Sequence, residues 1–101
     1  LAEKSFQKAL KFNPTHPVAN NQYGILLRKT GRFSEAKGIY ENVLEAYPDF
    51  QPARKNLGIL CDLYMNDLGC ALENYKAYAE AVPGDESVEL WIVDLQRRVG
   101  G

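Results

Sequence analysis

The chain has 101 residues, enough for one domain, and is 46% hydrophobic and 25% charged, ordinary values for a folded protein. Its formal net charge of −1 argues against a general nucleic-acid binder, which carries a clear basic excess. No apolar run approaches the roughly 20 residues needed to cross a bilayer, so direct membrane insertion is not expected either.

Six helices and no strand are predicted. Residues 1–12 place Ala2, Phe6, Ala9 and Leu10 on one face. A second helix runs from Pro17 to about Thr30, with Val18, Ala19, Tyr23, Gly24, Leu26 and Leu27 on one side. Thr15 can cap it, and Pro17 suits a first turn, where a missing N–H does no harm. Gly31 stops it through its freedom to take positive φ. The third helix spans Phe33 or Ser34 to Tyr47 and turns Ala36, Ile39, Tyr40, Val43 and Leu44 inward. Pro48 follows, and Asp49 can cap the next helix. The fourth, from Pro52 to about Tyr64, carries Ala53, Leu57, Gly58, Leu60 and Cys61. Asn66 or Asp67 caps the fifth, whose Leu68, Ala71, Leu72, Tyr75, Tyr78 and Ala79 face inward as far as Ala81. Pro83-Gly84-Asp85 breaks the chain, and a last helix from Glu86 to about Val99 carries Val88, Ile92, Val93, Leu95 and Val99. Loops this short make neighbours in sequence pack antiparallel.

These helices repeat. Ala2, Phe6 and Leu10 return 34 residues later as Ala36, Tyr40 and Leu44, while Pro14, Ala19 and Gly24 return as Pro48, Ala53 and Gly58. Ala36, Tyr40 and Pro48 return once more, 35 residues on, as Ala71, Tyr75 and Pro83. A period of this length marks a stacked-repeat architecture. Glycine in a helix interior costs about 1 kcal/mol relative to alanine, so its double use at Gly24 and Gly58 implies close approach of the partner helix. The small residue expected opposite is Ala36 or Ala71, with Tyr23, Tyr40, Leu57 and Tyr75 filling the next layer.

Little here suggests chemistry. Cys61 and Cys70 are too few for a zinc site, which wants about four ligands, and the lone His16 is far from both. Cys61 reads as a small buried residue and Cys70 as a turn or helix-start residue; a bridge between them is possible, but spacing does not establish it. His16 shapes a loop between repeats. Asp85-Glu86 sits at a helix start, where acidic residues are electrostatically comfortable. No glycine-rich phosphate loop is present. No enzyme, cofactor or metal is expected.

The recurring residues resemble the tetratricopeptide repeat family. In the middle repeat, Tyr23, Gly24, Leu27, Gly31, Phe33, Ala36, Tyr40, Val43 and Pro48 stand at its large, small and proline positions, while Asn20 departs from an aromatic often found there. Arg54, Leu57, Gly58, Cys61, Leu68, Ala71, Tyr75, Tyr78 and Pro83 match in the next, with one extra residue in the Tyr64–Gly69 turn. The resemblance implies an all-α, right-handed superhelical solenoid of antiparallel helix pairs. Residues 1–14 are then the second helix of a truncated repeat. Residues 15–48 form a complete repeat, residues 49–83 a complete repeat with the insertion, and residues 84–101 a capping helix or half repeat. The chain begins inside a repeat and reads as a piece of a longer protein, so targeting segments can lie outside it. Pentatricopeptide RNA binders share the period but not this Gly, Ala and Pro set.

The resemblance also implies a function, a non-catalytic scaffold that holds a peptide or protein segment in a concave groove. The groove positions are Asn21, Gln22, Ile25, Arg28 and Lys29, then Lys55, Asn56, Ile59, Asp62 and Leu63, and finally Leu90, Trp91, Asp94, Arg97 and Arg98. Five basic and two acidic residues there favour an acidic or C-terminal peptide. Ile25, Ile59 and Trp91 are its apolar anchors. Arg28, Lys29, Arg97 and Arg98 also suit helix C-termini, and Trp91 could equally pack on the preceding helix. The two-carboxylate clamp of chaperone-binding relatives is not reproduced, because Asn21 and Ile25 stand where it has Lys and Asn. Two further roles are homo-oligomerisation through the solenoid ends, by way of Leu1, Phe6 and Leu10, and a regulatory or substrate-selecting arm of an enzyme such as a glycosyltransferase. A cytoplasmic and a bacterial envelope location are both compatible with the sequence.

Overall fold

Each apolar stripe leaves its segment with a face that only a neighbouring helix can bury. In the computed structural model, which describes residues 2–13 and 16–100 apart from the side chains of Ala2, Glu3, Phe6 and Phe12, six helices result. They are α1 (Ala2–Phe12), α2 (Pro17–Lys29), α3 (Phe33–Ala46), α4 (Gln51–Ile59, continued by a π-helical segment Leu60–Tyr64), α5 (Leu68–Ala81) and α6 (Glu86–Gly100). No strand occurs among the described residues. The helices form a superhelical solenoid of antiparallel pairs, α2 with α3 and α4 with α5, with α1 on α2 and α6 on α5. Stacking in one direction gives an elongated body of 44 × 26 × 19 Å.

Punctuation sets the helix ends. The predicted cap Thr15 lies outside the described residues; His16 caps α2, its Nδ1 accepting from the Ala19 N–H at 3.1 Å. Gly31, at φ +80°, releases the chain from α2. Asp67 caps α5 by accepting from the Cys70 N–H at 3.1 Å, and Asp85 caps α6 by accepting from the Val88 N–H at 3.3 Å. Asp49 does not cap α4. That helix follows Phe50 without a side-chain cap, while Arg54 donates to the Pro48 carbonyl at 3.1 Å.

The core runs through Tyr23, Leu27, Ala36, Tyr40, Val43, Ala53, Leu57, Leu60, Cys61, Ala71, Tyr75, Val88 and Leu95. Gly24 and Gly58 admit aromatic rings rather than small residues. A Cβ on Gly24 would lie 2.5 Å from the Tyr40 ring, and one on Gly58 would lie 2.6 Å from that of Tyr75. The expected pairing with Ala36 and Ala71 therefore gives way to a glycine–tyrosine contact. Ala9, Val18, Val93 and Val99 are exposed despite their apolar register. Each lies near an end of the stack or in a first turn, where no second helix covers it. Val93 is in the register of Gly24 and Gly58, at intervals of 34 and 35 residues, and is 50% exposed. The inward positions Ala2 and Phe6 lie outside the described side chains, and the end face assigned to Leu1, Phe6 and Leu10 retains only Leu10, which packs against the core.

The extra residue of the second pair is absorbed where α4 ends. The last turn widens so that the Met65 N–H reaches the Leu60 carbonyl at 3.1 Å and the Asp67 N–H reaches that of Cys61 at 2.8 Å. Asn66 turns the chain at φ 51°, a left-handed conformation that Asn tolerates. This turn brings the start of α5 back onto the end of α4. Cys61 and Cys70 are joined there in a disulfide, the bridge that their spacing in sequence leaves open.

Candidate protein-interaction surface

The first helices of successive pairs lie side by side, so polar residues near their shared face meet across the repeat boundary. Between α2 and α4, the Asn56 amide donates to Asn21 Oδ1 at 2.9 Å. Asn21 is buried by this contact and acts as a joint between repeats, not as an exposed groove residue. Between α4 and α6, the Lys55 ammonium bonds Asp85 at 3.1 Å and lies 5.4 Å from the Tyr78 ring and 5.8 Å from that of Trp91. The Tyr78 hydroxyl also donates to Asp85 at 3.1 Å. The Lys55 bond holds the Asp85 carboxyl below its usual pKa, against the upward push of burial.

A second polar cluster forms further along. Asp62 accepts from the Arg98 guanidinium at 2.7 Å and from the Tyr75 hydroxyl at 3.2 Å. Arg98 bonds Asp94 as well, at 3.3 Å. Burial raises the Tyr75 pKa well above the usual phenol range, and the negative charge of Asp62 adds to the effect. Across the boundary with the preceding repeat the Arg28 guanidinium stacks on Tyr64 at 5.5 Å, and Tyr64 in turn packs on Phe33 with ring centroids 5.2 Å apart.

Of the residues predicted from sequence, Ile59, Asp62, Leu63, Trp91, Asp94 and Arg98 are brought together around a cavity of about 320 Å³, with Tyr75 as its floor. Trp91 lines this cavity and packs on Tyr75, with ring centroids 5.4 Å apart. Lys55 and Asn56 line a neighbouring hollow of similar size with Gln51, Pro52, Tyr78 and Val82. Gln22 and Lys29 are exposed on α2, while Ile25 is half-buried. Lys55 and Arg98 are engaged by carboxylates. Arg28, Lys29 and Arg97 form no ion pair among the described residues.

Sequence reasoning missed Tyr64, Tyr75, Tyr78 and Asp85 at this surface. The tyrosines fall at core spacing, and the signal for Asp85 was spent on its capping role, which uses only one of its two oxygens.

A family model described as tetratricopeptide repeat matches residues 5–38, a window that starts in α1, ends in α3 and is offset from the 15–48 unit. Over 60 residues the chain is 40% identical to the probable UDP-N-acetylglucosamine–peptide N-acetylglucosaminyltransferase SPINDLY of Solanum lycopersicum. That match takes in 59% of this chain and 6% of that protein. The solved structure of the MamA RS-1 ArsTM double mutant superposes with a TM-score of 0.84 at 23% identity, a likeness of fold. It covers 97% of this chain, which spans about half (55%) of that one. Helix pairs stacked in this manner, with glycine, alanine, tyrosine and proline recurring at fixed places along them, are similar to tetratricopeptide repeats, and residues 5–38 are the stretch that the family model matches.

Proposed function

We propose that this chain is a protein–protein interaction scaffold that holds a peptide or a segment of a partner protein in the concave groove formed by α2, α4 and α6, as part of a larger multi-repeat protein. On this reading residues 15–48 and 49–83 are the complete repeats, and residues 1–14 and 84–101 are half units. One observation carries it: the cavity where Ile59, Leu63 and Trp91 present apolar surface beside Asp62 and Arg98. Leu63 is 68% exposed and absent from the core, so its side chain serves no evident packing role in the isolated chain. A half-buried aromatic next to an exposed aliphatic residue is the kind of anchor that dominates interface energetics. The preference for acidic segments rests on Arg28, Lys29 and Arg97, since Lys55 and Arg98 are occupied in holding the repeats together.

Peptides selected from a phage-displayed random library on the immobilised chain test this. Leu63→Asp is expected to weaken the selected peptides at least about tenfold while leaving the melting temperature unchanged. If those peptides bind Leu63→Asp and Lys29→Glu as tightly as the parent, the groove is not the site. A second reading, a substrate-selecting arm of a larger enzyme such as a glycosyltransferase, is favoured by the likeness to a short stretch of SPINDLY. It uses the same groove, with the enzyme's protein substrate as the segment held.

A further inference from the structure

The two complete helix pairs differ in the polar groups around their shared tyrosine. In the second, the Asp62 side chain, 10% exposed, receives hydrogen bonds from the Tyr75 hydroxyl and from Arg98. In the first, Arg28 stands 34 residues before Asp62, Tyr40 stands 35 before Tyr75, and Leu63 stands 35 before Arg98. The tyrosine is kept, but the carboxylate is replaced by a guanidinium. The Tyr40 hydroxyl and Arg28 Nε each have less than 1 Å² of accessible surface and no hydrogen-bond partner among the described residues. The great majority of buried polar groups in folded proteins are paired, so two orphans on the packed helices of one pair need a reason. Because Tyr75 meets Asp62 in the second pair, the same register sets Tyr40 toward Arg28 in the first, and the Arg28 charge works against the burial that raises the Tyr40 pKa. Arginine offers only donors, and a single acceptor would satisfy both groups. One repeat later that acceptor is a carboxylate. Above Arg28 sits the ring of Tyr64, itself 45% exposed.

We propose, on the basis of the groove reading above, that Arg28 and Tyr40 form a subsite for a carboxylate carried by the bound partner. The carboxylate accepts from Arg28 Nε–H and Tyr40 O–H once the Tyr64 ring lifts from the guanidinium, and so supplies from outside what Asp62 supplies internally. An Asp or Glu side chain and a chain terminus share this chemistry.

The test follows the Arg28 Nε–H resonance of the ¹⁵N-labelled chain at constant ionic strength. Three probes are titrated: acetyl-Ala-Glu-Ala-amide, acetyl-Ala-Gln-Ala-amide and acetyl-Ala-Gln-Ala with a free C-terminus. The Arg28 signal is expected to move saturably with one or both acid probes and not with the fully amidated glutamine peptide; whichever acid moves it names the source. The Arg98 signal, already held by Asp62 and Asp94, stays in place. Tyr40→Phe, which removes only the hydroxyl, is expected to weaken the effective acid probe about tenfold, the worth of a hydrogen bond to a charged group. Indifference of the Arg28 signal to both acids, an equal response to the amide, or unaltered binding by Tyr40→Phe overturns the subsite. If the subsite fails while Leu63→Asp still abolishes capture of the selected peptides, the groove stands. If the Arg28 signal responds while Leu63→Asp has no effect, the groove falls and the carboxylate subsite survives alone.

Discussion

Tyr40 and Tyr75 fill the same cleft beside a helix glycine in successive pairs, and they differ in what meets the hydroxyl. Tyr75 donates to Asp62, whereas Tyr40 donates to nothing among the described residues. Removing a hydroxyl that is buried without a partner removes a desolvation cost, and removing one bonded to a carboxylate removes a favourable contact. Tyr40→Phe is therefore expected to leave the unfolding free energy unchanged or raise it by about 1 kcal/mol, and Tyr75→Phe to lower it by about 1.5–3 kcal/mol. Urea midpoints of the two variants measured together check this, and equal losses would contradict it. Both phenols also tie stability to alkaline pH. Burial pushes Tyr40 up to about 12, and burial reinforced by Asp62 pushes Tyr75 higher still, whereas an unfolded tyrosine titrates near 10. Because the folded values are the higher ones, this contribution is full below about pH 10 and is lost as pH rises from there through the folded values. Urea midpoints between about pH 9 and pH 12 should fall, and tyrosinate absorbance of the native chain should lag behind that of the denatured chain.

At the scale of the helix, glycine acts in opposite ways at different positions. Gly24 has the Tyr40 ring where its Cβ would go, while Gly38, inside α3, has nothing within 4 Å of that point. Gly24→Ala is expected to destabilise by about 1–3 kcal/mol through overpacking, despite its better helix propensity. Gly38→Ala should stabilise by about 0.5–1 kcal/mol, because only the propensity changes. Thermal unfolding of the pair separates the two effects. The helices themselves were readable from sequence because apolar stripes at 3.6-residue spacing and Pro or Gly punctuation act locally. What lay beyond that reading depends on how one helix sits on another. The resemblance places Asn21 on the concave face, but only the approach of Asn56 from the next repeat buries it. The ion pairs of Lys55 with Asp85 and Arg98 with Asp62 span 30 and 36 residues, so they follow from the stacking register, which no single helix encodes. The meeting of Cys61 and Cys70 depended on how the inserted residue is folded into the end of α4, and spacing alone leaves that open.

For the molecule as a whole, stacking in one direction means each pair is stabilised chiefly by its immediate neighbours. The disulfide lies in the α4–α5 pair, between α1–α3 on one side and α6 on the other, and closes a sequence separation of 9 residues. A closed loop of that size is worth about 2–3 kcal/mol. Reduction is expected to lower stability by about that amount, with faster hydrogen exchange first in Leu60–Tyr64, α5 and α6, and last in α2 and α3. Uniform acceleration along the chain would show that the stack unfolds as one unit. The valine at position 93 bears on what can be added to the stack. In α2 and α4 the missing side chain of a glycine leaves a notch that a tyrosine from the adjoining helix occupies, and in α6 an isopropyl group closes that notch. Any helix that lies along the outer side of α6, from this polypeptide or another, must therefore bring something slighter than a phenol ring to that spot or stand further off.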